Sequence, residues 1–502
     1  MTEAPQRAEA SPQSDSRLPA PGFRLPAPDS RLTNQDLAPT PESGRTWNQW
    51  HFASLWIGMS VCIPTYMLAA SLINAGLTWW QSLAAIFLGN AIVLVPMLIN
   101  GHAGTRYGIP FPVYARAAFG ISGAHIPALL RGIVACGWFG IQTWVGGLAI
   151  SELLSIIWPP FRDLGGDWQL MGHGLPAFLG FGLFWLLNLY FVWAGTESIR
   201  RLETLAAPFL IVVGLGLIWW AINRVGGLDT ILSESRPAAS GASFFLSLFL
   251  PWVTAMVGFW ATLALNIPDF TRYARSQRDQ MIGQSVGLLT TMPLFAFIGI
   301  VVTGATVVLY GRAVWNPVEL IGLLAAGQRS QLLGLAALVV ILVATLTTNI
   351  AANVVAPANA LANLDPRRIG FRLGGVIAGL VGVLIMPWRL LDAYQTWLLS
   401  YSGLLGAVGG ILVCDYLVIR RTELDLTDLY RERGRYWYRG GFNRRALIAL
   451  AAGVLVALAG LLHPSLAFLF NGAWFSAAAV SFLLYYLLMR ASPAPLAASQ
   501  EV

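Results

Sequence analysis

The chain has 502 residues, 56% of them hydrophobic and only 11% charged, with a net charge of +7 and a mean hydropathy of +0.64. A soluble protein carries about a quarter of its residues as Asp, Glu, Lys and Arg, so this chain cannot cover a water-facing surface of its size. Soluble domains, a fibrous repeat, a disordered chain and a secreted disulfide scaffold are excluded for its bulk. Cys62, Cys136 and Cys414 each lie in an apolar run, which implies no disulfide framework. What remains is one polytopic integral membrane unit.

Residues 1–44 hold eight prolines, near-balanced charge and no apolar stretch, and read as a disordered cytoplasmic tail. No apolar core follows a basic start, so no cleavable signal peptide is expected and the first span is also the insertion signal. From Phe52 onward twelve apolar stretches come near the ~20 residues that span a bilayer as helix. They run over 52–73, 81–100, 125–157, 175–194, 205–222, 243–266, 285–310, 331–355, 370–386, 393–419, 446–463 and 468–490. The third is overlong and should tilt or project beyond the membrane.

Every basic residue is arginine, and the arginines set the orientation. With the amino terminus inside, the inward loops hold Arg106 and Arg116, Arg200 and Arg201, Arg272, Arg275 and Arg278, and Arg367, Arg368 and Arg372, and the loop 420–445 adds eight more. The outward loops hold only Arg162, Arg224, Arg236, Arg312, Arg329 and Arg389. Both termini are therefore expected in the cytoplasm, including a short tail at 491–502. The basic loop 420–445 suits topology and anionic-lipid contact, and nucleic-acid binding is not expected.

Helix breaks are tolerated in a membrane only when they line a cavity or are buried in protein. The first segment carries Gly58-Met59-Ser60-Val61-Cys62-Ile63-Pro64, and the sixth carries Pro251 and then Gly258-Phe259-Trp260. Proline removes a donor and disfavours helix before it, so both segments are expected to break at matching places. Segments one to five (45–222) and six to ten (243–419) then form two halves of opposite orientation, with helices eleven and twelve in 446–490. That plan places a solute and its coupling ion at the midplane breaks.

Polar residues inside the spans add to this. Trp138 and Gln142 share one face of the third segment, and Asn349 and Asn353 share one face of the eighth. Such amides serve either as glue between helices or as the edge-reading groups of a site. Many tryptophans lie near predicted interfaces, but Trp138 and Trp260 fall mid-span, where two indole faces suit a flat neutral ring. Arg131, Glu152 and Asp415 lie toward helix ends, where snorkelling or local pairing is expected. With so few ionisable groups in the spans, clustered hydroxyls and carbonyls favour a small hard cation over a proton relay. No metal-spacing motif, Walker A sequence or catalytic constellation is present. A membrane-embedded ureide enzyme and a channel are the disfavoured alternatives, and no organic cofactor or obligate protein partner is implied.

The segments RTWNQWHFASLWIGM, YGIPFPVYARAAFGI, GWFGIQTWVGG, GFWATLALNIPDFTRY, ATLTTNIAANVVAP and CDYLVIRR resemble, in order across about 45–490, the nucleobase:cation symporter-1 family. The resemblance implies an all-α fold of twelve helices, a five-plus-five inverted repeat with two further helices, working by alternating access in the cell membrane. It implies import of allantoin or a related hydantoin or nucleobase ring coupled to sodium, with uracil transport and proton coupling as the alternative. Carried over from the family's sodium-coupled hydantoin carrier, Trp138 and Trp260 stack on the ring, Gln142 and Asn353 bind its amides, and Phe259 offers a backbone contact. Sodium falls on the carbonyls of Gly58, Val61 and Ala344 and the hydroxyls of Thr347 and Thr348. Cys62 stands where that carrier has a glutamine, and the wording as a whole is more similar to the allantoin permeases of the family. A smaller residue at 62 leaves room for a ureido arm.

Overall fold

The computed structural model describes residues 31–194, 196–233, 241–314, 316–325 and 331–491, without the side chains of 196–210, 325, 331 and 333. Residues 1–30 and 492–502 of the two expected tails lie outside the described residues, as do Arg236 and Arg329 and the side chains of Arg200 and Arg201.

The first apolar stretch is two helices, α1 (Gln49–Ser60) and α2 (Ile63–Asn74), bent by 57° at the break. Asn48 caps α1 through its side chain, an arrangement that contributes about 1 kcal/mol. Val61 and Cys62 between the two helices are non-helical, with φ/ψ of −83°/74° and −143°/161°. Pro64, at the start of α2, has no N–H to extend α1 through this point. There follow α3 (Trp79–Tyr107), α4 (Phe111–Phe119), α5 (His125–Ile157), α6 (Leu175–Ala194) and α7 (Thr196–Val225). At 33 residues, α5 is as overlong as expected. A two-stranded hairpin, β1 (Gln169–Leu170) with β2 (His173–Gly174), joins α5 to α6.

The second half holds α8 (Leu250–Asn266), α9 (Gln277–Tyr310), α10 (Gln331–Asn353), α11 (Val355–Leu364), α12 (Phe371–Leu384) and α13 (Tyr394–Val413). The last two segments are α14 (Arg444–Ala459) and α15 (Ala473–Arg490). Among the described residues eight helices are long and apolar enough to cross a membrane, nine with the bent pair. The remaining expected spans correspond to α7, α12 and α14, of which α12 and α14 are only 14 and 16 residues long.

The sixth segment corrects the expectation of a matched break. After a π-helical turn at Phe245–Phe249, α8 runs without interruption through Gly258-Phe259-Trp260 to Asn266. Pro251 lies just past that π-turn, inside a helix continuous from Ala242 to Asn266, and the wider turn accommodates its ring and missing N–H. Gly258 serves close packing instead: a Cβ there would stand 2.9 Å from Ser402 Cβ and 3.0 Å from the Leu398 carbonyl of α13. The eighth segment shows only a local irregularity, at Val354 between α10 and α11, where the backbone keeps helical φ/ψ of −102°/−40° and the Val354 N–H still donates to the Ile350 carbonyl. Pro357, four residues beyond Asn353, cannot donate to the Asn353 carbonyl.

Helices α1, α2, α3, α8 and α9 pack mainly among themselves, as do α5, α6, α10, α11 and α12. Helix α7 leans on both groups, through α9 and α10, and α14 and α15 dock on α13. Residues 31–44 depart from the expected disordered tail, because they strap one end of the molecule. Leu37 is fully buried, Arg272 donates to the carbonyls of Asp36 and Ala38, and Asn34 donates to the Pro366 carbonyl. Arg116, on α4, donates to the carbonyls of Leu32 and Leu429 and lies over the Tyr430 ring. Burial pushes its guanidinium down to about 10, so it stays charged at neutral pH. These contacts gather the loops after α3, α8, α11 and α13 at one end.

The ionisable groups near helix ends divide. Glu152 pairs with Arg162 at 3.1 Å, and Asp415 pairs with Arg420 at 2.6 Å, both local pairings as expected. Arg131 instead neither snorkels nor sits beside a local carboxylate. It is 1% exposed and hydrogen-bonded between helices.

Candidate substrate and cation site

Five of the six expected substrate residues come from three helices facing the seam between the two groups, and the sixth from the α1–α2 break. Trp138 and Gln142 lie on α5, Phe259 and Trp260 on α8, Asn353 at the end of α10 and Cys62 in the break, all of them buried. The tryptophans do not face one another across an open slot. The Phe259 ring packs edge-on against both, with centroids 5.1 Å from Trp138 and 4.9 Å from Trp260. Phe259 therefore brings its ring to the site, where only a backbone contact was expected.

Two residues that sequence reasoning did not single out position Trp138. Its Nε1 donates to the Tyr401 hydroxyl at 3.1 Å, and its ring meets that of Tyr394 at 5.9 Å. Both tyrosines lie on α13, two turns apart and so on one face, and that spacing was the available signal. The Tyr394 hydroxyl also donates to the Pro64 carbonyl at 3.3 Å, next to the break. On the other side, Trp56 packs edge-on against Trp260 at 5.0 Å.

The amides differ in how far their hydrogen-bonding groups are satisfied. Asn349 is glue: its Nδ2 lies 3.1 Å from Thr143 Oγ1, 3.1 Å from Asn188 Oδ1 and 3.3 Å from the Phe139 carbonyl, tying α10 to α5 and α6. Asn353 Nδ2 donates to Asn349 Oδ1 at 3.0 Å and is held by that network. Gln142 is different, because its Oε1 is buried with no hydrogen-bond partner, and so is Trp260 Nε1. A buried polar atom left unpaired costs about 1–3 kcal/mol. One acceptor and one donor therefore stand ready beside a cluster of aromatic rings. The Cys62 thiol is turned onto its own helix, 3.3 Å from Thr65 Oγ1, and Thr65 in turn donates to Met292 Sδ.

Of the expected cation ligands, one pair meets across helices and a second lies within α10. Thr348 Oγ1 on α10 donates to the Gly58 carbonyl of α1 at 3.3 Å, and Thr347 Oγ1 donates to the Ala344 carbonyl at 2.9 Å. Val61 and Ala344 share one buried cluster. Each hydroxyl now spends its proton on a carbonyl that would itself be a ligand. Both oxygens of each pair can turn toward a cation, and a donor set of neutral oxygens suits a hard ion. Among the described residues there is no cluster of His, Cys, Asp and Glu able to hold a metal ion.

Comparison with known proteins identifies the family. Residues 39–487 match the family described as permeases for cytosine/purines, uracil, thiamine and allantoin. The chain is 46% identical to the purine-uracil permease NCS1 of Arabidopsis thaliana, covering 86% of this chain and 72% of that protein. It is 41% identical to the allantoin permease of Bacillus subtilis, over 92% and 94%. Among solved structures it resembles Mhp1, a nucleobase-cation-symport-1 family transporter, in a closed conformation with bromovinylhydantoin bound. The TM-score is 0.73 at 27% identity, over 91% of this chain and 95% of that one. An inward-facing conformation of Mhp1 gives a TM-score of 0.75 over 93% and 95%. The chain belongs to the nucleobase:cation symporter-1 family of permeases, and is a multi-pass membrane transporter of the twelve-helix inverted-repeat fold rather than an enzyme.

Proposed function

We propose that the protein imports allantoin or a closely related hydantoin or nucleobase ring together with sodium, by alternating access across the cell membrane with both termini in the cytoplasm. The ring enters beside Trp138 and Trp260, with the Phe259 ring moving aside to let both indoles stack on it. Gln142 accepts from a ring N–H, Asn353 completes the amide edge, and Trp260 Nε1, which points in the plane of its indole, donates to a carbonyl beyond the stacked ring, such as that of a ureido arm. The observation that carries this reading is the pair of unpartnered atoms, Gln142 Oε1 and Trp260 Nε1, buried beside the aromatic cluster. A substrate with a ring N–H and a carbonyl on an arm outside the stack satisfies the acceptor and the donor at once.

Sodium bound by the carbonyls of Gly58, Val61 and Ala344 and the hydroxyls of Thr347 and Thr348 bridges α1 to α10. A cation that prefers the substrate-ready arrangement raises its population, and that differential affinity is what couples the two fluxes. Cys62, folded back on Thr65, leaves the space a ureido arm requires. The 41% identity to an allantoin permease over nearly its whole length supports the same choice. The 46% identity to a purine-uracil permease favours uracil or a purine as the second reading.

Uptake of radiolabelled allantoin into proteoliposomes, with unlabelled uracil, hydantoin, cytosine and adenine as competitors, decides between them. Saturable uptake inhibited best by unlabelled allantoin is expected. Stronger inhibition by uracil or adenine establishes the second reading. Replacing sodium with choline at fixed pH is expected to abolish uptake, and undiminished uptake in choline removes sodium from the scheme.

A further inference from the structure

We propose that Arg131 is the positioning residue of the inner gate, a buried guanidinium on α5 that holds α8 and the end of α10 closed on the cytoplasmic side of the substrate site. The inference rests on the alternating-access reading above. Arg131 Nε donates to the Thr262 carbonyl and to Asn266 Oδ1, each at 3.0 Å, and both residues belong to α8. Its Nη2 donates to the Ala352 carbonyl of α10 at 3.3 Å, next to Asn353. Asn266 Nδ2 passes the contact on to Asp269 Oδ2 at 3.1 Å, and Asp269 Oδ1 accepts from the Phe111 N–H of α4 at 2.9 Å.

The placement gives this cluster its meaning. Arg131 stands two turns before Trp138 on α5, and Asn266 nearly two turns after Trp260 on α8. The tie therefore lies about 10 Å along the axis from the aromatic cluster, on one side of it. Helices α5 and α8 belong to the two different packing groups and touch each other only slightly. One side chain thus ties α5 to α8 across bodies that must separate for release. A cation deep in a membrane protein is costly and marks function by default.

The chemistry also fits a tie that lets go. The partners of Arg131 are carbonyl and amide oxygens, with Asp269 reached through Asn266, and its Nη1 is buried with no partner at all. An incompletely coordinated guanidinium is held less firmly than one in a direct bidentate carboxylate pair. Opening therefore exchanges one imperfect arrangement for another, instead of breaking a saturated one.

Cys62 is a native reporter, because it lies at the substrate site and is 1% exposed. In a full-length chain carrying Cys136→Ala and Cys414→Ala, its modification by a membrane-impermeant methanethiosulfonate reagent is timed in inside-out and right-side-out vesicles. Arg131→Met is expected to speed modification from the cytoplasmic face about tenfold, as for loss of charge-assisted hydrogen bonds, and to slow it from the outside. Asn266→Ala is expected to shift it the same way by less. Unchanged sidedness in both variants, or faster modification from both faces, overturns the gate. If Arg131→Met does not reach the membrane, Asn266→Ala decides alone. Sidedness is measured without substrate, so a failed allantoin assignment leaves this result standing, and the competition experiment fails independently of it.

Discussion

The first and sixth segments carry the same helix-disrupting residue types, yet one is broken and the other is not. In the first, Pro64 follows two non-helical residues, and the chain turns by 57°. In the sixth, Pro251 follows a π-turn that takes up its missing N–H, and Gly258 lies inside a continuous helix pressed against α13. The break exposes carbonyls, and the intact helix presents rings. In the proposed function, cation chemistry belongs to the first and ring recognition to the second. Position within the helix and the neighbour across from it decide what a proline or glycine does.

Several substitutions separate these two roles. The largest effect is expected for Trp260→Ala, which removes a stacking face and an indole donor from the intact segment. Uptake efficiency (kcat/KM) should fall by about 100-fold while the cation concentration giving half-maximal rate stays put. A shift in cation dependence would merge the two roles. Next is Thr348→Ala, which takes a hydroxyl from the oxygen cluster facing Gly58. Half-maximal cation concentration should rise about tenfold, with substrate specificity in competition assays unchanged.

The glycines sharpen the contrast further. Adding a Cβ at Gly58 meets nothing within 4 Å, whereas at Gly258 it meets α13. Gly258→Ala should therefore cost about 1–3 kcal/mol of stability, seen as lower thermal stability in detergent. Gly58→Ala should be neutral or slightly stabilising, since alanine favours helix by up to about 1 kcal/mol. Equal losses in both would show that the packing difference does not govern stability. Cys62→Gln, which fills the space by the break, tests selectivity alone. It should weaken competition by allantoin about tenfold relative to hydantoin, and an unchanged ratio would remove Cys62 as the selectivity residue.

Much of this site was legible in the sequence because a bilayer leaves few options for polar residues. Trp138, Gln142, Trp260 and Asn353 stand out mid-span against an apolar background, and Thr347 and Thr348 stand out as adjacent hydroxyls. Their roles relative to one another were not legible. Asn349 and Asn353 share a helix face, yet the first is satisfied by α5 and α6 and the second depends on the first. Tyr394 and Tyr401 looked like ordinary aromatic residues until α13 was laid across Trp138.

By itself the sequence determined the solvent, the number of apolar segments, the arginine asymmetry and the break at Pro64. All of these follow from local composition, from hydrocarbon's intolerance of charge and from a missing N–H. Only the tertiary structure decided that α8 stays whole and that Phe259 turns its ring into the site. It likewise decided that residues 31–44 strap one end, and that Arg131 is buried between helices rather than drawn out to water. Each of those outcomes depends on which surface another helix presents, and a residue's own neighbours in the chain carry no record of that.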